Sequence, residues 1–198
     1  MKSYRIIKSP TEGFYKEKGS KFLGFAYHVN SLEDVKNKIE LLKKEYYDAR
    51  HHCYAHLIND GNQKLIRAND DGEPNHSAGD PILGQIRSFD LTNTLVVVVR
   101  YFGGTKLGVS GLIHAYKTAA EDALSKAEIE VIQIKQSFVV EYGYEKTNDV
   151  LRIINDFGVE INNQEFLAAC TLFGRIEPEK YEALKDKLNL VHVKVSKT

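Results

Sequence analysis

Thr94-Leu95-Val96-Val97-Val98-Val99-Arg100-Tyr101-Phe102-Gly103-Gly104-Thr105-Lys106-Leu107-Gly108-Val109-Ser110-Gly111 is the stretch on which the reading of the fold turns. Five consecutive aliphatic residues, Leu95 to Val99, describe a central strand covered on both faces, because a strand with one wet face would alternate apolar and polar. Gly103-Gly104 ends that strand. The next apolar residues, Leu112, Tyr116, Ala119, Ala120, Ala123 and Leu124, recur at helical spacing and predict a helix over 111–127. A glycine-rich turn between a buried strand and a helix is a place where backbone N–H groups can meet an anion. The spacing matches neither G-x-x-x-x-G-K-[ST] nor G-x-G-x-x-G, so neither a P-loop nor a Rossmann turn is expected. Arg100, Lys106 and Lys117 supply positive charge, and Tyr101 and Phe102 supply rings to stack. The loop reads either as an RNA- or anion-contacting site or as a structural turn.

Outward from this stretch, strands are predicted over 4–8 and 21–29 with a polar, Lys-rich loop between them. A helix over 32–47 follows, capped from Asn30-Ser31, its lysines forming a solvated face. His52, Tyr54 and His56 alternate with Cys53, Ala55 and Leu57, which predicts a strand, and Asp60-Gly61 reads as the turn into another over 64–68. On one strand face His52 and His56 are about 13 Å apart, too far to share a zinc ion. Ser77 is the expected cap of a short helix over 78–88, with Pro81 in its first turn. Between these elements lies Asp70-Asp71-Gly72-Glu73-Pro74-Asn75-His76. Its acids and histidine read either as a cation site or as a rigid loop whose acids favour the positive end of a helix. From about 128 a new pattern starts: strand 135–144, helix 148–157, strands 159–163 and 167–175, helix 178–188 and strand 191–195. That β-α-β-β-α-β order is the ferredoxin-like signature. The boundary falls between 128 and 134, giving domains 1–130 and 131–198.

Composition bounds the function. The chain has 198 residues, with 27 Lys+Arg against 27 Asp+Glu, a formal net charge of zero. Bulk electrostatic coating of DNA is excluded, because non-specific duplex binding draws its strength from excess Lys and Arg. Residues 1–128 nevertheless carry 18 basic and 16 acidic side chains, and 129–198 carry 9 and 11, so any nucleic-acid contact is confined to a local groove on the first domain. No apolar run is long enough to span a membrane and no signal-peptide core is present, which points to the cytoplasm. Cys53 and Cys170 read as buried thiols. No cofactor motif, metal-ligand set or nucleophile constellation can be assembled, so no catalytic residue is assigned.

Taken together, Asp71-Gly72-Glu73-Pro74 with Ala78-Gly79-Asp80-Pro81-Ile82-Leu83, and Val97 through Gly108 with Gly111-Leu112 and Ala115-Tyr116, resemble the Impact/YigZ family. The resemblance implies an α+β protein, with a ribosomal protein S5 domain 2-like first domain followed by a ferredoxin-like domain similar to the last domain of elongation factor G. It also implies a role in translation, through RNA or ribosome binding or through a protein partner. The residues expected to bind are Arg100, Tyr101, Gly103, Gly104, Lys106, Gly108, Gly111, His114, Lys117, Asp71, Glu73 and His76. A hydrolase built on Asp71, Glu73 and His76, with or without a divalent metal, is the competing enzymatic reading. Two positions depart from the family pattern. Asn75-His76-Ser77 stands where Ser-Gly-Thr is common, and His114 stands where Arg is common, removing a permanent positive charge beside the glycine loop.

Overall fold

The computed structural model describes residues 3–59 and 63–198, and the predicted Asp60-Gly61 turn lies outside them. The chain divides into two compact units, one spanning Tyr4–Ile132 and one taking Gln133–Thr198 together with Ser3.

The first unit runs β1 (Ser3–Ile7), β2 (Thr11–Glu17), β3 (Ser20–His28), α1 (Leu32–Glu45), β4 (His51–Asn59), β5 (Lys64–Asn69), α2 (Gly79–Ser88), β6 (Thr94–Tyr101), α3 (Gly108–Ser125) and β7 (Ile129–Gln133). β1 pairs with β7, and the other five strands form one sheet in the order β2-β3-β6-β4-β5 with every neighbouring pair antiparallel. β6 is central, as its aliphatic run requires. Val96 and Val98 join the core under α2 and α3, whereas Leu95, Val97 and Val99 join the core under α1. All five are fully buried, each side chain contributing about 1.5–3 kcal/mol by leaving water.

The expected loop between the first two strands is instead β2, hairpinned to β3 through Lys18 and Gly19, both with positive φ (45° and 83°). β2 is an edge strand with little apolar content, so it carries almost none of the alternation by which strands are recognised. α1 starts as expected: Ser31 accepts from the Asp34 N–H while the Asp34 side chain accepts from the Ser31 N–H, a capping box. α2 differs. Ser77 donates to the Pro74 carbonyl rather than capping, and the Asp70 carboxylate takes the N–H groups at the helix start.

The second unit contains β8 (Gln136–Tyr142), α4 (Thr147–Asp156), β9 (Glu160–Phe166), β10 (Cys170–Ile176), α5 (Pro178–Leu190) and β11 (Lys194–Lys197). The element order is β-α-β-β-α-β, and its antiparallel sheet runs β11-β8-β10-β9. Val150, Ile153 and Ile154 of α4 and Tyr181, Leu184 and Leu188 of α5 pack with Phe138, Val140 and Leu172 of the sheet into one core. Both cysteines are free and buried. Among the described residues, no helix is long and apolar enough to cross a membrane.

Candidate functional site

The end of β6 continues its alternation, so Arg100 projects to the same side as Val96 and Val98, toward α3. An arginine in an otherwise apolar strand needs a carboxylate, because an unpaired buried charge is prohibitively costly. Glu73 provides it. Arg100 Nη1 donates to Glu73 Oε1 at 2.5 Å, and the Tyr116 hydroxyl of α3 donates to the same oxygen at 2.8 Å. Glu73 and Arg100 are 9% and 6% exposed and Tyr116 is fully buried. Phe22 lies under the guanidinium, with Arg100 Cζ 5.4 Å from its ring centroid. The expectation that Arg100 contacts phosphate is thus corrected: its charge is committed inside the fold, where it ties the Asp71–Glu73 segment to β6 and α3. Cys53 Sγ completes the cluster, 3.3 Å from the Tyr116 hydroxyl and 2.9 Å from the Asp70 carbonyl oxygen. Burial pushes its thiol pKa up, which keeps it protonated and unreactive.

The acidic loop is consumed by its own architecture. Asp71 and Gly72 both have positive φ (41° and 87°), turning the chain tightly after β5. Asp71 Oδ2 accepts the His52 N–H at 2.7 Å, and Lys43 Nζ lies 3.7 Å from its other oxygen. Asp70 accepts from the N–H groups of His76, Ala78 and Gly79 at 2.8–3.0 Å. His76 is exposed with φ 64°, a left-handed conformation that favours glycine, and its Nδ1 meets Asp80 Oδ2 at 2.6 Å. Desolvation pushes the Asp70 carboxyl up, but the three N–H donors and nearby His76 outweigh it and leave its pKa below the ordinary value. A depressed carboxylate pKa stabilises the fold above the unfolded pKa and is lost as pH falls through the folded one. Thermal midpoints measured from about pH 5 to about pH 2 should fall more steeply in the wild type than in Asp70→Asn, which has no such carboxylate to protonate. Parallel slopes would remove Asp70 from this role.

The glycine-rich loop is different: it is open. The Gly103 N–H donates to Ser20 Oγ at 3.0 Å, holding the loop's start against the β2–β3 turn. Gly104 and Gly108 have φ 89° and 72°, and a side chain on either would meet nothing within 4 Å. α3 begins at Gly108, three residues before the predicted start, with no side-chain cap and no acid in its first turn. Gly108, Val109 and Ser110 are exposed, so the unpaired N–H groups of an 18-residue helix face solvent without a counter-charge. Lys106 is exposed in the loop before this end, His114 and Lys117 are exposed farther along α3, and the His114 ring stands edge-on to Tyr15 at 5.6 Å.

Tyr101 does not join this surface. Strand alternation turns it to the α1 side, where its hydroxyl donates to Asp48 Oδ1 at 2.7 Å. Phe102 is 54% exposed, with Arg100 Cζ 5.7 Å from its ring centroid. The two motifs therefore meet through the Glu73–Arg100 pair, with Arg100 and Glu73 buried, Asp71 half-buried, and Gly104, Lys106, Gly108, His114 and Lys117 exposed. Asp70 belongs to the acidic loop whose acids the sequence places at the positive end of a helix, and Cys53 is a buried thiol as expected, but neither Cys53 nor Ser20 is marked by the sequence as a member of this network. Asp70 carried a signal, since an acid eight or nine residues before a helix start can fold back onto its first N–H groups. Ser20 carried none. Among the described residues, no three His, Cys, Asp or Glu side chains converge as a metal site.

Residues 18–124 match the family model of the Impact N-terminal domain. An IMPACT family member of Haemophilus influenzae is 32% identical over 189 residues, covering 95% of this chain and 92% of its own. A crystal structure described as that of a hypothetical protein aligns over 98% of this chain and 97% of its own, with a TM-score of 0.71 and 26% identity. Yih1, described as a two-domain translational regulator, is 29% identical over 61% of this chain and 48% of its own, with a TM-score of 0.40. The family match spans both sequence motifs and the strand and helix that carry them, and the Haemophilus relative extends it over nearly the whole chain. The chain belongs to the IMPACT family.

Proposed function

We propose that this IMPACT-family protein acts in the regulation of translation as a cytoplasmic binding protein, contacting the phosphate backbone of RNA, free or on the ribosome, through the start of α3. The observation that carries this reading is the uncapped, acid-free N-terminus of α3 behind two open glycines, with exposed Lys106 in the loop before it and exposed Lys117 farther along the same helix. Phosphate oxygens accept from such N–H groups and gain from the helix dipole. Gly104, Gly108 and Gly111 let a backbone approach, His114 adds a titratable donor, and Phe102 offers a ring for a base. The Glu73–Arg100–Tyr116 cluster positions this surface rather than touching RNA. The acids of the preceding loop are engaged in structural hydrogen bonds, which speaks against a hydrolase built on Asp71, Glu73 and His76.

In the same reading residues 1–130 form the Impact-type, S5 domain 2-like domain and 131–198 a ferredoxin-like one. The β11-β8-β10-β9 strand order supports the second assignment. Co-sedimentation with ribosomes or RNA should be observed for the wild type and lost in Lys106→Ala with Lys117→Ala, both exposed changes that leave the core intact. Exposed Val109 and Ile113, one turn apart on α3, favour a second reading in which the same surface meets a translation-associated protein. Partner capture that survives nuclease treatment would select that reading over RNA.

A further inference from the structure

The opposite face of the sheet carries a separate groove of about 780 Å³, between α1 and the β4–β5 hairpin. Its size falls within the range of small-molecule sites, about 300–1,000 Å³. Val35 and Ile39 of α1 and Leu65 of β5 supply an aliphatic floor, and Lys36, Lys43, Lys64 and Arg67 with one acid, Glu40, supply the polar lining. Lys36 and Lys43 lean toward Glu40 and Asp71, but Lys64 and Arg67, both exposed, have no acidic partner among the described residues. The groove therefore has uncompensated positive charge over an apolar base.

His56 gives this surface a built polar point. It is 3% exposed and lines the groove, directly opposite Arg67 in the β4–β5 register, where facing side chains are about 5 Å apart at Cβ. Its Nδ1 is sealed without a hydrogen-bond partner. A proton there would be a buried, unsatisfied donor, so the neutral ring keeps its proton on Nε2, the nitrogen that is not sealed. Desolvation, with the Arg67 charge adding to it, lowers the His56 pKa and holds the ring neutral. An N–H donor beside an unpaired guanidinium recognises an anion. The aliphatic floor recognises a hydrocarbon chain rather than a base, and Tyr54 is already stacked on His56, with rings 6.3 Å apart and 11° from parallel.

We propose that this groove binds a small free amphiphilic anion, an aliphatic chain bearing one carboxylate or phosphate, with the chain on Val35, Ile39 and Leu65 and the head between His56 Nε2 and Arg67. The site is independent of the RNA-binding surface, so the two can fail separately. The test uses the full chain with decanoate below its micelle concentration, read by displacement of anilinonaphthalene sulfonate and by the His56 ring resonances. Decanoate should bind the wild type and shift the His56 Nε2 signal, with decanol about tenfold weaker or worse. Lys64→Glu with Arg67→Glu, both exposed on an edge strand, should weaken decanoate by about tenfold or more without moving the urea midpoint. Lys106→Ala with Lys117→Ala should leave decanoate binding unchanged. Equal binding of decanol, undiminished binding to the charge-reversed variant, or a His56 signal unmoved at saturation would each overturn the proposal. So would association with anionic phosphatidylglycerol vesicles in the absence of any decanoate binding, which would make the face a membrane contact.

Discussion

Replacing Glu73 with alanine is expected to lower the unfolding free energy by about 3–5 kcal/mol, the cost of leaving a buried charge without its partner. Arg100 is 6% exposed, its Nη1 loses the carboxylate that pairs with it, and its Nε is already buried without a partner. The Tyr116 hydroxyl loses its acceptor at the same time. Glu73→Gln should be milder, since the amide oxygen still accepts from Tyr116 and Arg100 although the charge is gone. Glu73→Leu combined with Arg100→Met should recover most of the loss, because well-packed apolar side chains often replace a buried pair at little cost. Urea unfolding of Glu73→Leu, Arg100→Met and the double variant measures this as a cycle. If both single variants remain within about 1 kcal/mol of the wild type, the pair behaves like an exposed ion pair and the two loops are not joined through it.

Gly24→Val is the second large effect, with a predicted loss near the top of the overpacking range, about 3 kcal/mol. Gly13 and Gly24 face each other across β2 and β3, and α3 lies directly on this glycine pair. A Cβ on Gly24 would stand 2.5 Å from the Ala119 carbonyl oxygen, and one on Gly13 would stand 2.7 Å from the same atom. These neighbours are backbone, so the helix itself must lift. The Thr11 hydroxyl donates to the Ala123 carbonyl and the Phe14 N–H donates to Asp122, so β2 is bonded along the same helix. Lifting α3 breaks those bonds and displaces its N-terminus, so Gly24→Val should weaken RNA binding as well as stability. A Gly24→Val protein with wild-type thermal midpoint would show that the helix does not need this close seat.

The parts of the fold visible in the sequence were those whose signal is local. Leu95 to Val99 announced a strand buried on both faces because no polar residue interrupted it, and α1 announced itself through Ser31 and its periodic apolar face. β2 was hidden because an edge strand seated on a helix by a glycine contributes Thr11, Gly13 and Tyr15 rather than a hydrophobic alternation. The start of α3 at Gly108 was hidden because Gly108 and Gly111 are poor helix formers and the exposed first turn carries no apolar periodicity. Within the candidate site, the motif residues were identified but their roles were not. Arg100 has the parity of Val96 and Val98, which fixes its direction, yet the partner that neutralises it is 27 residues away and is revealed only by the folded chain. For Asp70 the general role, an acid of the loop at the positive end of a helix, was legible, but that it takes the place of the expected Ser77 cap was not. The groove on the α1 side was not legible at all, since it depends on His56 and Arg67 meeting across a hairpin.

The measurement that bears most directly on the central proposal is the salt dependence of RNA affinity, compared between the wild type and Lys106→Ala with Lys117→Ala. Each phosphate contact contributes about 0.7–0.9 to the slope of log affinity against log salt. The wild type is predicted to bind with a clear negative slope that flattens by roughly one to two contacts in the double variant. Wild-type protein that shows no salt-sensitive binding to RNA or ribosomes, or a double variant with an unchanged slope, would contradict the assignment of the α3 N-terminus as the binding surface.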